Sequence, residues 1–254
     1  MDAFTPPKNG SDLWRIDACS AVLRTSLLSA QVDLRNPSRG IGGLVLKGVS
    51  LDGFVLGVAL GVDQPWATDA LREAFTRQND LVATYGETEQ MPFSLQVYWR
   101  AVEQENGAVL LDTLLSLQTP SLKSFPSIVT ASQLRGDDVL VVPYDGREKA
   151  FGMGVNELPS TSPPREEPAG VVLRMASVPW SYAEMTPADD PGSWQVFRQH
   201  GLNTVRRRLG GTFLEKGVLR RIRVRGALLP RDREVELAQQ YLAKLATEKP
   251  PLTV

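Results

Sequence analysis

One histidine, His200, and one cysteine, Cys19, are all that 254 residues hold of either type. Histidine is the usual general acid or base near neutral pH and the commonest metal ligand; cysteine supplies most other transition-metal sites. A His/Cys metal cage is therefore excluded, and the sequence calls for no metal and no cofactor. The lone Cys19 cannot close an internal disulfide, so nothing points to an oxidising compartment. Charge of one sign is also lacking: 28 basic and 29 acidic residues leave a net charge of −1. A general polyanion binder is usually more basic, so nucleic acid is not an expected partner. Long apolar runs are absent too. The longest, residues 54–62, is broken by Gly57 and Gly61, and no stretch reaches the roughly 18 residues that a membrane helix needs. Residues 1–10 contain two prolines and no apolar segment of signal-peptide length. The expectation is a soluble cytoplasmic protein, monomer or homodimer, that crosses no membrane.

What is abundant is punctuation. Twenty-one glycines and 18 prolines divide the chain into short apolar segments, many of them alternating, which is the mark of many short strands. The clearest is 94–102, where Leu95, Val97, Trp99 and Ala101 fall on one face and Ser94, Gln96, Tyr98 and Arg100 on the other. A Glu105-Asn106-Gly107 turn signal joins it to a second apolar run at 109–117 as a hairpin. Further strands are predicted at 41–49, 53–62, 81–85, 139–144, 171–178 and 219–229. Helix is sparse. Val235, Ala238, Leu242 and Leu245 recur at helical spacing, predicting a helix over 232–246 with Asp232 as its cap and Pro250 and Pro251 beyond its end. A second, short helix is predicted at 68–76. Residues 156–170 carry four prolines and the Arg165-Glu166-Glu167 cluster and read as an exposed loop. The fold class is mainly β: an antiparallel β-supersandwich with one C-terminal helix and few short ones, in a single domain over 1–254.

Phosphate loops are not supported. The glycines at 40, 42 and 43 lack the Lys-Ser/Thr of a P-loop, and those at 152, 154, 210 and 211 have no strand–turn–helix context. A serine triad would need His200, which sits in a loop-like setting with no Gly-x-Ser-x-Gly elbow in the chain. Carboxylate pairs stay open, because Asp112, Asp137, Asp138, Asp145, Glu184, Asp189, Asp190 and Glu215 all lie near strand ends or turns and sequence does not give their separation. Most are turn residues and caps on the bland reading. Within 219–229, Arg221, Arg223 and Arg225 share one face, since strand side chains alternate. Such a row is either solvated, paired across strands with Asp or Glu, or a binding face for an anion or a sugar. Of the five tryptophans, Trp99 belongs to the core by alternation. Trp66 and Trp194 lie in loop-like segments, where aromatic rings either stack on sugars or pack over a sheet edge.

Several segments together resemble the galactose mutarotase-like proteins, a carbohydrate-binding β-supersandwich superfamily. They are Asp33-Leu-Arg-Asn-Pro37 with Gly40 and Gly43; Arg77-Gln-Asn-Asp-Leu-Val-Ala-Thr-Tyr85 running into Gln96-Val-Tyr-Trp-Arg100; Ser181-Tyr-Ala-Glu-Met185; and Phe213-Leu-Glu-Lys-Gly-Val-Leu-Arg-Arg221. The resemblance implies two large antiparallel sheets packed face to face, one of them concave and able to accept a sugar. It also implies a catalytic histidine pair with a glutamate base. One histidine cannot supply the pair, and only Glu184 and Glu215 are candidates for the base. The expectation is a carbohydrate ligand held by Arg221, Arg223 and Arg225 with Trp180 and Tyr182, without epimerase chemistry. A sugar-active epimerase, lyase or glycosidase using carboxylates, and a protein-interaction scaffold, remain the alternatives.

Overall fold

The computed structural model describes residues 5–8 (backbone only), 13–61, 66–67, 69–142, 170–176, 178–187 and 192–248. The predicted loop at 156–170 lies outside them except for Gly170.

Among the described residues seventeen strands, numbered in chain order, form two layers. Sheet I runs β1 (Thr5–Lys8), β8 (Leu71–Arg77), β9 (Asp80–Tyr85), β10 (Ser94–Glu103), β11 (Val109–Gln118), β17 (Leu219–Pro230), β14 (Trp180–Met185), β13 (Gly170–Met175). Sheet II runs β2 (Trp14–Asp17), β3 (Ser20–Arg24), β4 (Leu28–Asp33), β5 (Ile41–Leu46), β7 (Gly53–Ala59), then β16 (Leu202–Gly210) and β15 (Ser193–Gln199) beyond a shared strand; the short β6 (Val49–Ser50) pairs with the end of β5. The shared strand is β12 (Ser127–Val142). Its first half pairs with β7 and β16, and its second half pairs with β13. All pairings are antiparallel except β1 with β8.

The crossing point on β12 is Gly136, at an irregularity in the register with β13. A Cβ there would stand 2.6 Å from the Arg174 carbonyl oxygen and 2.7 Å from the Asn203 side-chain nitrogen. Only glycine lets the strand pass from one layer to the other at that spot.

Alternation decides which side of each strand faces the other layer. Leu95, Val97, Trp99 and Ala101 are buried as expected, and they join Leu111, Leu115, Ile222 and Val224 against Trp14, Leu23, Val32, Leu44, Val58 and Val205 of sheet II. A second, smaller core lies on the outer face of sheet I. There α1 (Glu234–Thr247) buries Leu237, Ala238, Tyr241, Leu242 and Leu245 on Leu110, Val142, Val172, Ala183, Met185, Ala227 and Leu229. The helix is tied down at its start by Glu234, which accepts from Arg174 Nε at 2.6 Å and from the Ser181 hydroxyl. Midway, Tyr241 bonds the Asn106 side chain in the β10–β11 turn at 2.9 Å.

Two expectations need correction. Residues 71–77 form strand β8, not a helix: pairing with β1 and β9 on either side overrides a helix propensity that Phe75 and Thr76 already weaken. Asp232 does not cap α1. Pro230 is extended, Arg231–Arg233 form a 3-10 turn, and Arg233 holds the cap position without a side-chain hydrogen bond.

The strands at 14–33 are not among those expected, for a local reason. Four hairpins turn on two residues, and the first is Ala18, Lys47, Gln78 or His200, each at φ near +50°. Left-handed turns are usually signalled by Gly or Asn; here non-glycine residues start them. The lone histidine is thus a turn residue.

Leu237→Ala should destabilise the protein by about 2–5 kcal/mol, read as a lower urea midpoint with an unchanged slope, because Leu237 is fully buried.

Candidate functional site

Part of the outer face of sheet I is not covered by α1, and it is charged. In register across five adjacent strands stand Arg77, Asp80, Arg100, Asp112 and Arg225. The sign alternates at every step. Arg100 grips Asp80 with Nε at 2.6 Å and Nη2 at 2.8 Å. Arg225 grips Asp112 in the same two-pronged way, at 2.7 and 2.9 Å. Two residues along β17, Arg223 donates to the same Asp112 oxygen at 2.7 Å. Glu248, just beyond the end of α1, then accepts from Arg223 Nη2 at 2.8 Å and Arg225 Nη2 at 2.7 Å.

Arg100, Asp112, Arg223, Arg225 and Glu248, together with Lys244, Val102, Gln104 and Leu110, line a cavity of about 360 Å³, within the range of small-molecule sites. Its cations are Arg100, Arg223, Arg225 and Lys244; its carboxylates are Asp112 and Glu248, with Asp80 behind Arg100. Arg221 Nε, Arg223 Nε and Arg225 Nη1 have no hydrogen-bond partner among the described residues. The face has more N–H donors than acceptors.

Burial by itself would raise the Asp112 carboxyl, but hydrogen bonds and charge from Arg225 and Arg223 outweigh it and hold it below the ordinary aspartate value. Glu248 follows the same pattern: partial burial raises it, and the two arginines bring it below the ordinary glutamate value.

The predicted residues separate into groups. Arg223 and Arg225 are in the cavity, and Arg221 is half-buried farther along the same face, opposite Ser116. Arg223 and Arg225 are buried and paired: Arg225 lies directly opposite Asp112 on β11, and Arg223, two residues along, bonds the same carboxylate. Trp180, Tyr182 and Glu184 point the other way. Glu184 lies opposite Gly226, not Arg225, so all three face the interior. Trp180 is buried with Lys47 Nζ 4.9 Å over its ring. Glu215 is exposed in the turn before β17.

Glu184 is fully buried in a polar junction between the layers. Its carboxylate accepts from Arg207 Nε at 3.2 Å, the Ser132 hydroxyl at 2.5 Å and the Tyr182 hydroxyl at 3.1 Å. Arg207 also reaches the Glu184 carbonyl at 3.1 Å, and Ser132 Oγ accepts the Leu56 amide at 2.9 Å. Burial first, and Glu184 second, push the Tyr182 hydroxyl well above its ordinary value, so it stays protonated. Gly226 makes the room, since a Cβ would sit 2.7 Å from the Tyr182 hydroxyl.

Arg100, Lys244 and Glu248 of the cavity and Arg207 of the junction are not among the site residues expected from the sequence. Asp112 stood only among carboxylates near strand ends. The signal for it was present: one aspartate inside the apolar run 109–117.

No protein-family model matches the sequence, and no curated protein matches it. The fold does have counterparts. A galactose mutarotase-like protein from Lactobacillus casei ATCC 334 superimposes with a TM-score of 0.50 at 11% identity, over 82% of this chain and 99% of that one. A proposed aldose 1-epimerase from Klebsiella pneumoniae subsp. pneumoniae MGH 78578 gives 0.51 at 8% identity, over 92% and 87%. The alpha-N-acetylgalactosaminidase NagBb from Bifidobacterium bifidum gives 0.52 at 11%, over 91% of this chain but 38% of that one. The chain has the galactose mutarotase-like fold.

Glu184→Gln leaves a buried guanidinium without its counter-charge and should cost about 3–5 kcal/mol, measured by chemical denaturation. Asp112 has a depressed pKa in the folded state, so its stabilisation is present above about pH 4 and is lost as pH falls below it. Asp112→Asn should flatten that acid limb of the stability curve in melts between pH 3 and 7.

Proposed function

We propose that the protein binds carbohydrate in the cavity between the outer face of sheet I and the end of α1, and that it does so without mutarotase chemistry. The observation that carries this reading is the cavity itself: paired Arg and Asp side chains are held rigid on strands beside the apolar flanks of Val102 and Leu110. Planar, doubly hydrogen-bonded donors and acceptors fixed in place suit hydroxyl groups, and apolar flanks suit the C–H faces of a sugar ring. The fold's counterparts carry names from sugar chemistry, which favours the same ligand class. Arg223, Arg225 and Asp112 would contact the ligand, with Arg100 and Lys244 beside them and Arg221 farther along the face.

A carboxylate-based glycosidase is the second reading, and one observation favours it. Asp112 Oδ2 and Glu248 Oε2 each lie within 2.9 Å of the same two arginine nitrogens. They are as close as the roughly 5–5.5 Å of a retaining pair. The electrostatics argue the other way. Such an enzyme needs one carboxyl with a raised pKa to donate a proton, and here both are held low by the same guanidiniums. Binding is therefore preferred. The histidine pair of a mutarotase has no counterpart, since His200 is the only histidine and sits in a hairpin turn.

Titration calorimetry against a panel of mono- and oligosaccharides should show saturable binding that Arg223→Ala weakens at least about tenfold, equivalent to one lost charged hydrogen bond. Polarimetry should show no acceleration of galactose or glucose mutarotation, and aryl glycosides should not be cleaved. Absence of binding to every sugar would overturn the reading.

A further inference from the structure

Within the cavity the two carboxylates are not equivalent. Asp112 is 7% exposed and receives donors from both arginines along its strand neighbours. Glu248 is 42% exposed, follows the last helical residue, and touches the arginines only through one oxygen, Oε2. It also stands at a helix C-terminus, where the helix dipole disfavours a negative charge. Asp112 belongs to the sheet, while Glu248 is a carboxylate delivered from outside into a fork of two Nη2 groups.

Without Glu248 the cavity holds four cations, Arg100, Arg223, Arg225 and Lys244, against Asp112 and the Asp80 behind Arg100. Arg225 is 3% exposed and Arg223 is 7% exposed. Two buried guanidiniums facing an accessible cavity with surplus positive charge are a costly arrangement unless an anion completes it.

We propose that this fork is an acid-group subsite, that the saccharide the cavity takes is a sugar acid whose carboxylate sits between Arg223 and Arg225, and that Glu248 is a tethered occupant which that carboxylate displaces. The inference rests on the sugar-binding reading and narrows it. A sugar carboxylate places an oxygen where Glu248 Oε2 now lies, and the ring then extends toward Val102 and Leu110. Lys244, one helical turn before Glu248, adds a further positive charge at the cavity. Arg220, outside the fork, has no part in it.

The test is affinity of the protein and of its Glu248→Gln variant for D-galacturonate, D-glucuronate, D-galactose and D-glucose 6-phosphate at low and high salt. The uronates should bind at least about tenfold more tightly than galactose, the worth of one charge-assisted contact. Glu248→Gln should tighten uronate binding severalfold relative to galactose and keep the salt dependence that a fixed fork predicts. Ligand-free melting temperatures of the two proteins show whether the contact is merely a lock on the helix. If Glu248→Gln only lowers the melting temperature, with uronate affinity unaltered, Glu248 is structural and the proposal fails. Equal binding of galactose and uronates would remove the acid subsite while leaving the sugar-binding reading intact. Preference for glucose 6-phosphate over both uronates would overturn the carboxylate assignment. Binding of none of the four would overturn the acid subsite, and both readings fall if the wider saccharide panel is silent as well. Lys244→Gln, at the same cavity, provides a second variant that should weaken uronates more than galactose.

Discussion

The interior ion pair between Glu184 and Arg207 is the contact on which the arrangement of layers depends. Glu184 belongs to sheet I and Arg207 to sheet II, and neither has appreciable access to water. Two ions taken out of solvent are tolerated only when their remaining hydrogen-bonding capacity is met. Here Ser132 and Tyr182 complete the carboxylate, the Glu184 carbonyl and Thr186 complete the guanidinium, and the Leu56 amide completes Ser132. Apolar packing between sheets is tolerant of sliding; this junction is not. It fixes which residue of β14 lies over which residue of β16, and through β17 it fixes where Arg223 and Arg225 stand on the opposite face.

That dependence explains why interior and exterior chemistry are interleaved on the same strands. On β14 Trp180, Tyr182 and Glu184 face the interior, the last two in the junction, while Ser181, Ala183 and Met185 support the helix. On β17 Gly226 yields space to Tyr182 between Arg225, which serves the cavity, and Ala227, which serves the helix. Two neighbouring strands thus sustain three separate environments, and the glycine is what lets the most crowded of them close.

Much of this was legible in the residues. The hairpin at 94–118, the terminal helix and the arginine face of β17 follow from spacing alone, because a strand's period of two and a helix's period of 3.6 leave different traces. Registers between distant strands leave none. Nothing in Ser181 to Met185 says whether Glu184 opposes Arg225 or Gly226, and that single step decides whether it meets a ligand or the core. The same gap hid the partnership of Asp112 with arginines more than 100 positions later. Local rules also failed: at 68–76, where strand pairing overrode helix propensity, at the Asp232 cap, and at the tight turns of Ala18 and Gln78, where the chain takes a left-handed step without the residue that normally announces it.

The alternating row from Arg77 to Arg225 also has a consequence for misfolding. If β10 slipped by one position against β11, Arg100 would be driven into the apolar layer beside Trp99's neighbours. If it slipped by two, Asp112 would lie against Tyr98 or Val102 on the β10 side and Arg100 would lose the carboxylate across from it on β11, leaving each with a charged partner on one flank only. Wrong alignments of these central strands break the alternation of sign, so the charges that shape the cavity also proofread the sheet in which they are set.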